Sequence, residues 1–292
     1  MSQTEPTVGQ SSKLEKVFDY LQQLIVTLFM HKSAYEFIRE HKPWQGLKRL
    51  GWIVWAMAIA GALLSYQFFR EFYHAVEQVR SSQQPLTMSL ASTFSFEKLS
   101  WAMEGSRKYL IMIVLELVVF YFIQKTLEIR MGRKPDLTTK AFVDAEIRIF
   151  KVTILAWVLE TITRFLVVDL ALGIVGFNWL EKPAGFLIQC YFLGFALVDN
   201  YHECFDLNVT GSEKRTRRTA VGVAVATGLV AHLLMYLPVV GAVIATMLGA
   251  VTATLAMEQF APISPEEHLA IIAEQQKKDK GKRHGSTPSV QV

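Results

Sequence analysis

Apolar residues fall in four long stretches separated by polar and basic segments. The clearest stretch runs from Gly51 to Phe69 and is followed at once by Arg70 and Glu71. The second, Tyr109 to Gln124, has basic residues on both sides. A helix needs about 20 residues to cross roughly 30 Å of hydrocarbon. We therefore predict two transmembrane helices, at about 51–69 and 109–124.

The third and fourth stretches are each interrupted near the middle. The third, 150–199, contains charged residues and the connector GFNWLEKPAG at 176–185. The fourth, 219–257, has no Asp, Glu, Lys or Arg, and its single proline, Pro238, lies at its centre. Because proline interrupts a helix and each arm is apolar, both stretches predict two helices joined by a break. We interpret them as two apolar helical hairpins.

The turn of the last hairpin is itself apolar. From Leu233 to Ala245 no residue is more polar than Tyr236, whereas a spanning hairpin normally places a polar turn in water. Non-helical backbone at membrane depth survives only when it is buried in protein or lines an aqueous cavity. The hairpin either spans with a very tight turn or re-enters the side where it began, and the apolar turn favours re-entry.

The segments that flank the membrane domain, 51–260, are polar or amphipathic. Residues 1–12 are predicted to be disordered, and 261–292 to form a basic, mostly disordered cytoplasmic tail. Residues 13–50 are expected to form an amphipathic interfacial helix and the lead-in to the first span. The apolar positions at helical spacing are Val17, Phe18, Leu21, Leu24, Ile25, Leu28 and Phe29. The predicted fold class is therefore an all-α integral membrane protein.

Composition and charge agree with this class and suggest an orientation. Hydrophobic residues make up 51% of the chain and charged residues 19%, with a mean hydropathy of +0.27. Basic residues cluster before the first span, after the second, between the hairpins and in the tail. The cluster between the hairpins consists of Lys214, Arg215, Arg217 and Arg218. Since such clusters favour the cytoplasm, both termini are expected there, provided that each hairpin leaves and returns.

A carboxylate, Glu116, lies at the centre of the second predicted span. Insertion of a charged group there costs about 2.5 to 3.5 kcal/mol, so this side chain should face protein or water. One interpretation is a proton-coupling or gating residue. The other is a buried partner for Arg164, His232 or a hydroxyl group.

Further polar residues lie in the two hairpins. Glu160 and Arg164 are four apart, hence on one helix face, and Asp169 follows closely. With Asp199 they form either structural ion pairs or coupling charges. His232 precedes the apolar turn and is either a hydrogen-bonded interface residue or a ligand.

Small residues recur every four positions along both arms of the last hairpin, which lets helix backbones approach closely in lipid. The series are Ala220, Ala224, Gly228 and His232 in the first arm and Gly241, Ala245, Gly249 and Ala253 in the second. We expect the two stripes to face each other. They indicate either a packed hairpin or packing around a transport path.

The sequence lacks the motifs of several kinds of site. It contains no phosphate-binding glycine loop with its lysine and no His/Cys/Asp cluster with metal-ligand spacing. Two cysteines, Cys190 and Cys204, do not make a disulfide framework. We expect no metal, no cofactor, no enzymatic activity and no nucleic-acid partner.

The segment FLGFALVDNYHECFDL, followed by SEKRTRRTAVGVAVATGLVAHLLMYLPVVGAV, resembles the C-terminal half of the CysZ family of sulfate permeases, within the etoposide-induced membrane protein superfamily. Asp199 and Tyr201 match the Tyr/Asp motif that ends an apolar helix, a basic segment follows, and Leu237-Pro238 matches the final turn. The resemblance extends over about Trp44 to Phe260. The family's Asp-Tyr-Pro stands here as Asp199-Asn200-Tyr201, without the proline.

This resemblance implies two long transmembrane helices, hairpins that enter the membrane partway, and a homo-oligomer in a bacterial inner membrane. The implied function is passage of sulfate or a similar small anion, passive or proton-assisted. We expect Pro238, Gly241, His232 and Glu116 to line the path, with backbone amides near the turn facing the anion. The alternative is a non-transporting scaffold that recruits partners through its amphipathic N-terminus and basic tail.

Overall fold

The structure is a computed structural model that describes residues 13–45, 73, 107–134, 138–172, 174, 177–235, 237 and 240–284. Two expectations, the disordered segment 1–12 and the span at 51–69, lie outside these residues. Within them the chain forms α-helices and one π-helical segment, without a strand. The all-α class is thereby confirmed for the described part of the chain.

Eight α-helices make up this part. They are α1 (Lys13–His41), α2 (Arg107–Met131), α3 (Thr139–Arg164), α4 (Asn178–Glu203), α5 (Val209–Thr219), α6 (Val221–Met235), α7 (Val240–Phe260) and α8 (Pro265–His284). The π-helical segment Phe165–Leu172 continues α3. Helix α2 contains the second predicted span, α3 and α4 form the third apolar stretch, and α6 and α7 form the fourth.

The connector of the third stretch is shorter than predicted. It was expected at 176–185, but α4 begins at Asn178 and includes Pro183. Proline fixes a backbone angle that suits a helix, and near the start of a helix it removes one hydrogen bond without ending it. The sequence NWLEKPAG is therefore helical.

The last hairpin has two arms of unequal length. Helix α6 has 15 residues and α7 has 21, so they are about 22 Å and 31 Å long. Gly241 stands where α7 starts beside α6, because a Cβ atom there would lie 1.9 Å from the carbonyl oxygen of Leu234. Pro238, at the centre of the turn, lies outside the described residues.

The two small-residue stripes do not face each other, contrary to prediction. A Cβ atom at Gly228 would lie 1.8 Å from the Cys190 carbonyl oxygen, and one at Gly194 would lie 1.8 Å from the Ala224 carbonyl oxygen. The α6 stripe thus packs against α4. Gly249 of α7 also faces α4, since its added Cβ would meet the Leu197 side chain at 2.9 Å. Gly228 and Gly249 thus pack against α4, whereas Gly241 packs against Leu234 of the hairpin partner.

Helix α1 packs on the end of the hairpin opposite its turn. The Gln23 side chain donates to the carbonyl oxygen of Thr219 at 2.9 Å and accepts from the Gly222 amide at 3.2 Å. Thr219 and Gly222 flank the break between α5 and α6, where the chain bends by 100°. The side-chain amide therefore satisfies backbone groups that the bend leaves without helical partners.

The segment 261–292 is more ordered than its composition predicted. It contains α8, which is tied to the bundle by ion pairs from Arg215 to Glu267 and, at 2.8 Å, between His268 and Asp206. The His268 ring also packs edge-on against Phe205. Composition alone missed this helix because its contacts are few and mostly polar.

Large apolar side chains lie on the outside of the bundle as well as in its core, which is not the usual pattern of a water-soluble protein. Large apolar side chains cover the outside of α1, α3 and α4; Phe29 and Trp179 are each 74% exposed. Other exposed apolar residues on α1 and α3 are Leu14, Phe18, Leu21, Ile25, Ile147, Phe150, Ile154, Trp157 and Ile162. The buried polar residues include Glu116, Gln124, Glu160, Asp199, Asn200, His202 and His232.

One described helix, α7, is long and apolar enough to cross a membrane over Gly241–Phe260, with a mean hydropathy of 1.5. Two-thirds of that window (67%) is buried against other helices. The core helix of a soluble protein can have the same length and composition. The length of α7 is therefore weaker evidence for a membrane than the apolar exterior.

Candidate functional site: a buried carboxylate cluster

Three helices bring four carboxylates and one guanidinium together inside the bundle. Asp199 and Glu203 are four residues apart on the last turns of α4 and so share one face. Helix α3 supplies Glu146 and Arg148, and α2 supplies Glu116. We call these five residues, together with Asn200, the carboxylate cluster.

Arg148 is the centre of the cluster. Its Nε and Nη2 atoms donate to the two carboxylate oxygens of Asp199, both at 2.9 Å, and its Nη1 atom donates to the Leu207 carbonyl oxygen. The side chain of Asp199 is only 2% exposed. Parallel bonds of this kind are the strongest arrangement between arginine and a carboxylate. They fix α3 against the end of α4.

Glu203 interacts more weakly with the same guanidinium, at 3.7 Å from Arg148 Nε. Burial raises the pKa of Glu203 to about 7, against the opposing effect of Arg148 and with the help of Asp199, Asp144 and Asp206. Burial also raises the pKa of Glu146. Both groups therefore bind protons more readily than a carboxylate in water.

Glu116 is fully buried, with 1% of its surface exposed, as are Asp199 and Asn200. Neither of its carboxylate oxygens has a hydrogen-bond partner of normal geometry, and the Asn200 side chain lies beside it. Asp199, Glu203 and Glu146 are all near enough to repel a charge on Glu116. Arg164 and His232, two of the predicted partners, are not among the groups that act on Glu116.

His202, next to the cluster, joins α4 to α5. Its side chain is fully buried and its Nδ1 atom lies 2.9 Å from the Ser212 hydroxyl. Burial, with the positive charges of Arg215 and Arg148, lowers the pKa of His202 to about 3. The ring is therefore neutral at physiological pH. No group of His, Cys, Asp or Glu in the described residues has the arrangement of a metal site.

The other predicted coupling charges lie apart from the cluster. Glu160 is buried on α3, 12 residues beyond Arg148 and hence about 18 Å along the helix axis. Arg164 ends α3, and Asp169 lies on the π-helical segment; both are exposed. Of the predicted coupling charges other than Glu116, only Asp199 takes part in the cluster.

Two described residues that were expected to line a path at the hairpin turn, His232 and Gly241, make contacts within the protein. His232 is 2% exposed and its ring meets Phe186 edge-on at 5.0 Å. The Gly241 amide donates to the Leu237 carbonyl oxygen at 3.1 Å. That amide is therefore not free to bind an oxyanion, contrary to the expectation for this position.

The basic cluster of α5 lies beside a surface groove of about 680 Å³. Lys214, Arg215 and Arg218 line the groove with Glu267 of α8. Arg215 is committed to Glu267 and to the carbonyl oxygens of the 261–262 segment, and Arg217 pairs with Glu213 at 3.2 Å. Lys214 and Arg218 are exposed and carry the positive charge of this surface.

Sequence reasoning missed most of the carboxylate cluster. It treated Arg148 as one of several cytoplasmic basic residues and gave no role to Glu146, Asn200 or Glu203. The four-residue spacing of Asp199 and Glu203 was a usable signal, because it places two acids on one helix face. Nothing local pairs either acid with Arg148, which is 51 residues away from Asp199.

Comparison with known proteins gives this cluster no precedent. The chain matches no protein-family model, no curated protein and no solved structure.

Proposed function

We propose that this chain is an integral membrane protein that acts as a permease for a small solute, with its path inside the helical bundle. The observation that carries the proposal is the distribution of side chains: carboxylates, amides and histidines are buried within the apolar core, and further large apolar side chains cover the outside. In lipid the outer surface needs to be apolar, and ionisable groups face the protein interior or water.

The exterior of α3 and its π-helical continuation supports a bilayer. Apolar patches beyond a few hundred Å² on a soluble protein mark a membrane or partner surface. Here they follow one side of α3 from Ile147 to Ile162 and continue through Phe165 and Leu166. Leaving such side chains in water costs about 25 cal/mol per Å² of apolar surface.

The inter-helix ion pairs support a common cytoplasmic end. Arg130 of α2 pairs with Glu258 in the last turn of α7 at 3.1 Å. Arg215 of α5 donates to the carbonyl oxygens that directly follow α7. Arg148 reaches Leu207, just before α5. Basic residues from two clusters, the one after the second span and the one between the hairpins, thus lie at one end, as the positive-inside rule requires.

The length of α6 supports a hairpin that enters the membrane partway. An arm of about 22 Å does not cross roughly 30 Å of hydrocarbon. Its turn is therefore placed inside the membrane and is covered by protein, as non-helical backbone at that depth requires. A homo-oligomer supplies such cover in our proposal.

The proposed solute is a small anion such as sulfate, on the strength of the sequence resemblance. Exposed Lys214 and Arg218 beside the surface groove favour the approach of anions from the cytoplasmic end. The negative carboxylate cluster opposes an unaccompanied anion, which favours passage together with a proton.

Membrane insertion is tested first, by expression of the full chain and extraction of the membrane fraction at alkaline pH. Retention in the membrane is expected. Single cysteines across 233–245, in a background without Cys190 and Cys204, should be labelled poorly from both faces. Strong labelling from the face opposite the termini would contradict a re-entrant hairpin.

Transport is tested by uptake of labelled sulfate into proteoliposomes at inside pH 8 and outside pH 6, with protein-free liposomes as the control. Uptake that exceeds the control and falls when the pH gradient is removed is expected. Absence of sulfate uptake by protein of verified fold and oligomeric state would refute the sulfate permease.

A non-transporting scaffold is the second candidate, favoured by the exposed apolar face of α1 at the edge of the bundle. On that hypothesis, removal of residues 275–292 abolishes function and Gly249→Leu has little effect. For the permease the order is reversed, because Gly249 packs against Leu197 inside the membrane domain.

A further inference from the structure

We propose that Glu116 and Asn200 form a proton-binding site inside the bundle, with Glu203 as the group through which the proton reaches water. Proton binding at this site is inferred from the positions and hydrogen bonds of the described residues. Its role as the coupling site of transport rests on the proposed permease function.

The first argument is an excess of hydrogen-bond acceptors. Both oxygens of Glu116 and the side-chain oxygen of Asn200 are buried and lack a donor. One of the two N–H groups of the Asn200 amide nitrogen donates to the Ala196 carbonyl oxygen at 3.1 Å, so at most one N–H is left for these three oxygens. Two neighbouring acceptors without a donor are unfavourable. A proton on Glu116 turns one of them into a donor and resolves the conflict.

The second argument is charge. Arg148 compensates Asp199 through two bonds at 2.9 Å and lies 3.7 Å from Glu203. Glu116 has no cation of its own at hydrogen-bond distance in the described residues. With all four carboxylates ionised, the cluster would hold three more negative than positive charges. Binding of one proton at Glu116, the member without a cation, lowers this excess to two and relieves part of the repulsion.

Charged and titratable groups face Glu116 and Glu203 from several elements. They are Glu146, Arg148 and Asp144 of α3, Asp199 of α4, and Cys204 and Asp206 in the turn after α4. Arg148 is the only cation among them, and it is already bonded to Asp199. The surroundings of the site therefore favour a bound proton over a second ionised carboxylate.

A proton fits these ligands better than a metal ion does. Metal ligation needs several oxygens aimed at one point, and no such group occurs in the described residues. Glu203, whose side chain is 17% exposed, connects the site to the end of the bundle. A proton taken from water there is held by Glu203 or by Glu116 and is returned to water without any covalent step.

The test is infrared spectroscopy of the purified full chain in lipid nanodiscs at pH 7, with the spectrum of each variant subtracted from that of the wild type. A protonated, buried carboxyl group gives a C=O stretch that is separate from ionised carboxylates. We expect this band in the wild type, its weakening in Glu116→Gln, and a shift of its frequency in Asn200→Val, which removes the acceptor. Glu258→Gln is the matched control, since Glu258 is a partly buried acid that pairs with Arg130.

A protonated-carboxyl band that is as strong in Glu116→Gln as in the wild type, or one that is lost only in Glu258→Gln, would overturn the site; a weaker remaining band is expected from Glu203, whose pKa is about 7. So would a response to removal of Na⁺ at constant pH, which would indicate a bound cation. The Asn200→Val shift keeps the test decisive if Glu116→Gln fails to fold. The readout needs no transport, so loss of sulfate uptake with the band intact refutes the permease and leaves the proton site standing.

Discussion

The middle and the C-terminal end of α4 are held in place by different kinds of contact. Near its middle, Cys190 and Gly194 meet Ala224 and Gly228 of α6 so closely that backbone touches backbone. Near its C-terminal end, Asp199 and Glu203 meet Arg148 through charge. One helix thus has a contact defined by shape and a contact defined by ionisation, separated by about one turn.

The difference between these contacts shows which part of the bundle can respond to its surroundings. The glycine contact contains no titratable group, so pH and salt leave it unchanged. The ionic contact depends on which carboxylates carry a proton. We therefore expect α6 to stay fixed on α4 while the relation of α3 to the end of α4 varies with protonation.

The largest expected effect is from Arg148→Met, which breaks the ionic contact. It leaves Asp199 buried without its cation, and loss of one partner of a buried pair costs about 3 to 5 kcal/mol. Thermal unfolding in detergent at pH 7 should show a correspondingly lower stability.

The double variant Arg148→Met, Asp199→Leu is the control for that experiment. It removes both charges, so most of the loss should be recovered. A double variant that is as unstable as Arg148→Met would show that packing of the guanidinium, and not charge, holds this end of α4.

Gly194→Ala tests the contact defined by shape. The added methyl group would lie 1.8 Å from the Ala224 carbonyl oxygen and 2.8 Å from the Gly228 nitrogen. Because backbone has to move, the cost should reach about 3 kcal/mol, the upper end for overpacking, at any pH between 5 and 8. Gly185→Ala in the same helix is the control: its nearest contact is Arg164 Nε at 3.9 Å, so stability should be unchanged or slightly higher.

Gln23→Ala tests the contact between α1 and the bend from α5 to α6. It removes two hydrogen bonds and leaves the Thr219 carbonyl and Gly222 amide without partners, which should lower stability by about 2 kcal/mol. Neighbouring Gln22 is exposed, so Gln22→Ala should leave the melting temperature unchanged. Equal melting temperatures for the two variants would show that the Gln23 bonds contribute little.

Per pH unit, the smallest expected effect is the pH dependence contributed by Glu203. Its pKa rises from 4.5 to about 7 on folding, so its protonated form favours the folded state. This contribution is complete below about pH 4.5 and is lost as pH rises through 7, with a slope of at most about 1.4 kcal/mol per pH unit. Glu203→Gln should flatten the profile of unfolding free energy between pH 5 and 7; an unchanged profile would assign the slope to another group.

The sequence predicted the positions of the helices better than the contacts between them. Apolar runs and charge spacing located α2, both hairpins and α1, because these signals depend on residues a few positions apart. The connector predicted over the stretch 176–185 extends too far along the chain, because α4 begins at Asn178 and includes Pro183. Helix α8 was missed because its anchoring contacts, through Glu267 and His268, are made with residues more than 50 positions away.

The candidate site was predictable only in part, for the same reason. Glu116 stood out as an acid in an apolar run. The spacing of small residues correctly indicated close helix packing but not the partner, because Gly228 could meet either α7 or α4. Only the fold brings Arg148 to Asp199 and places the unpartnered oxygen of Asn200 beside Glu116.

The bonds of Gln23 to Thr219 and Gly222 also constrain the order in which the chain can assemble. They join positions 196 and 199 residues apart. The surface that α1 binds is therefore synthesised long after α1 itself. Until α6 emerges, the buried polar side of α1, with Gln23, Thr27 and His31, has no permanent partner. Contacts of such long range form late and slow the final step of folding. We expect nascent chains that end before residue 219 to keep α1 accessible to protease and to chaperones, and chains that extend past α7 to protect it.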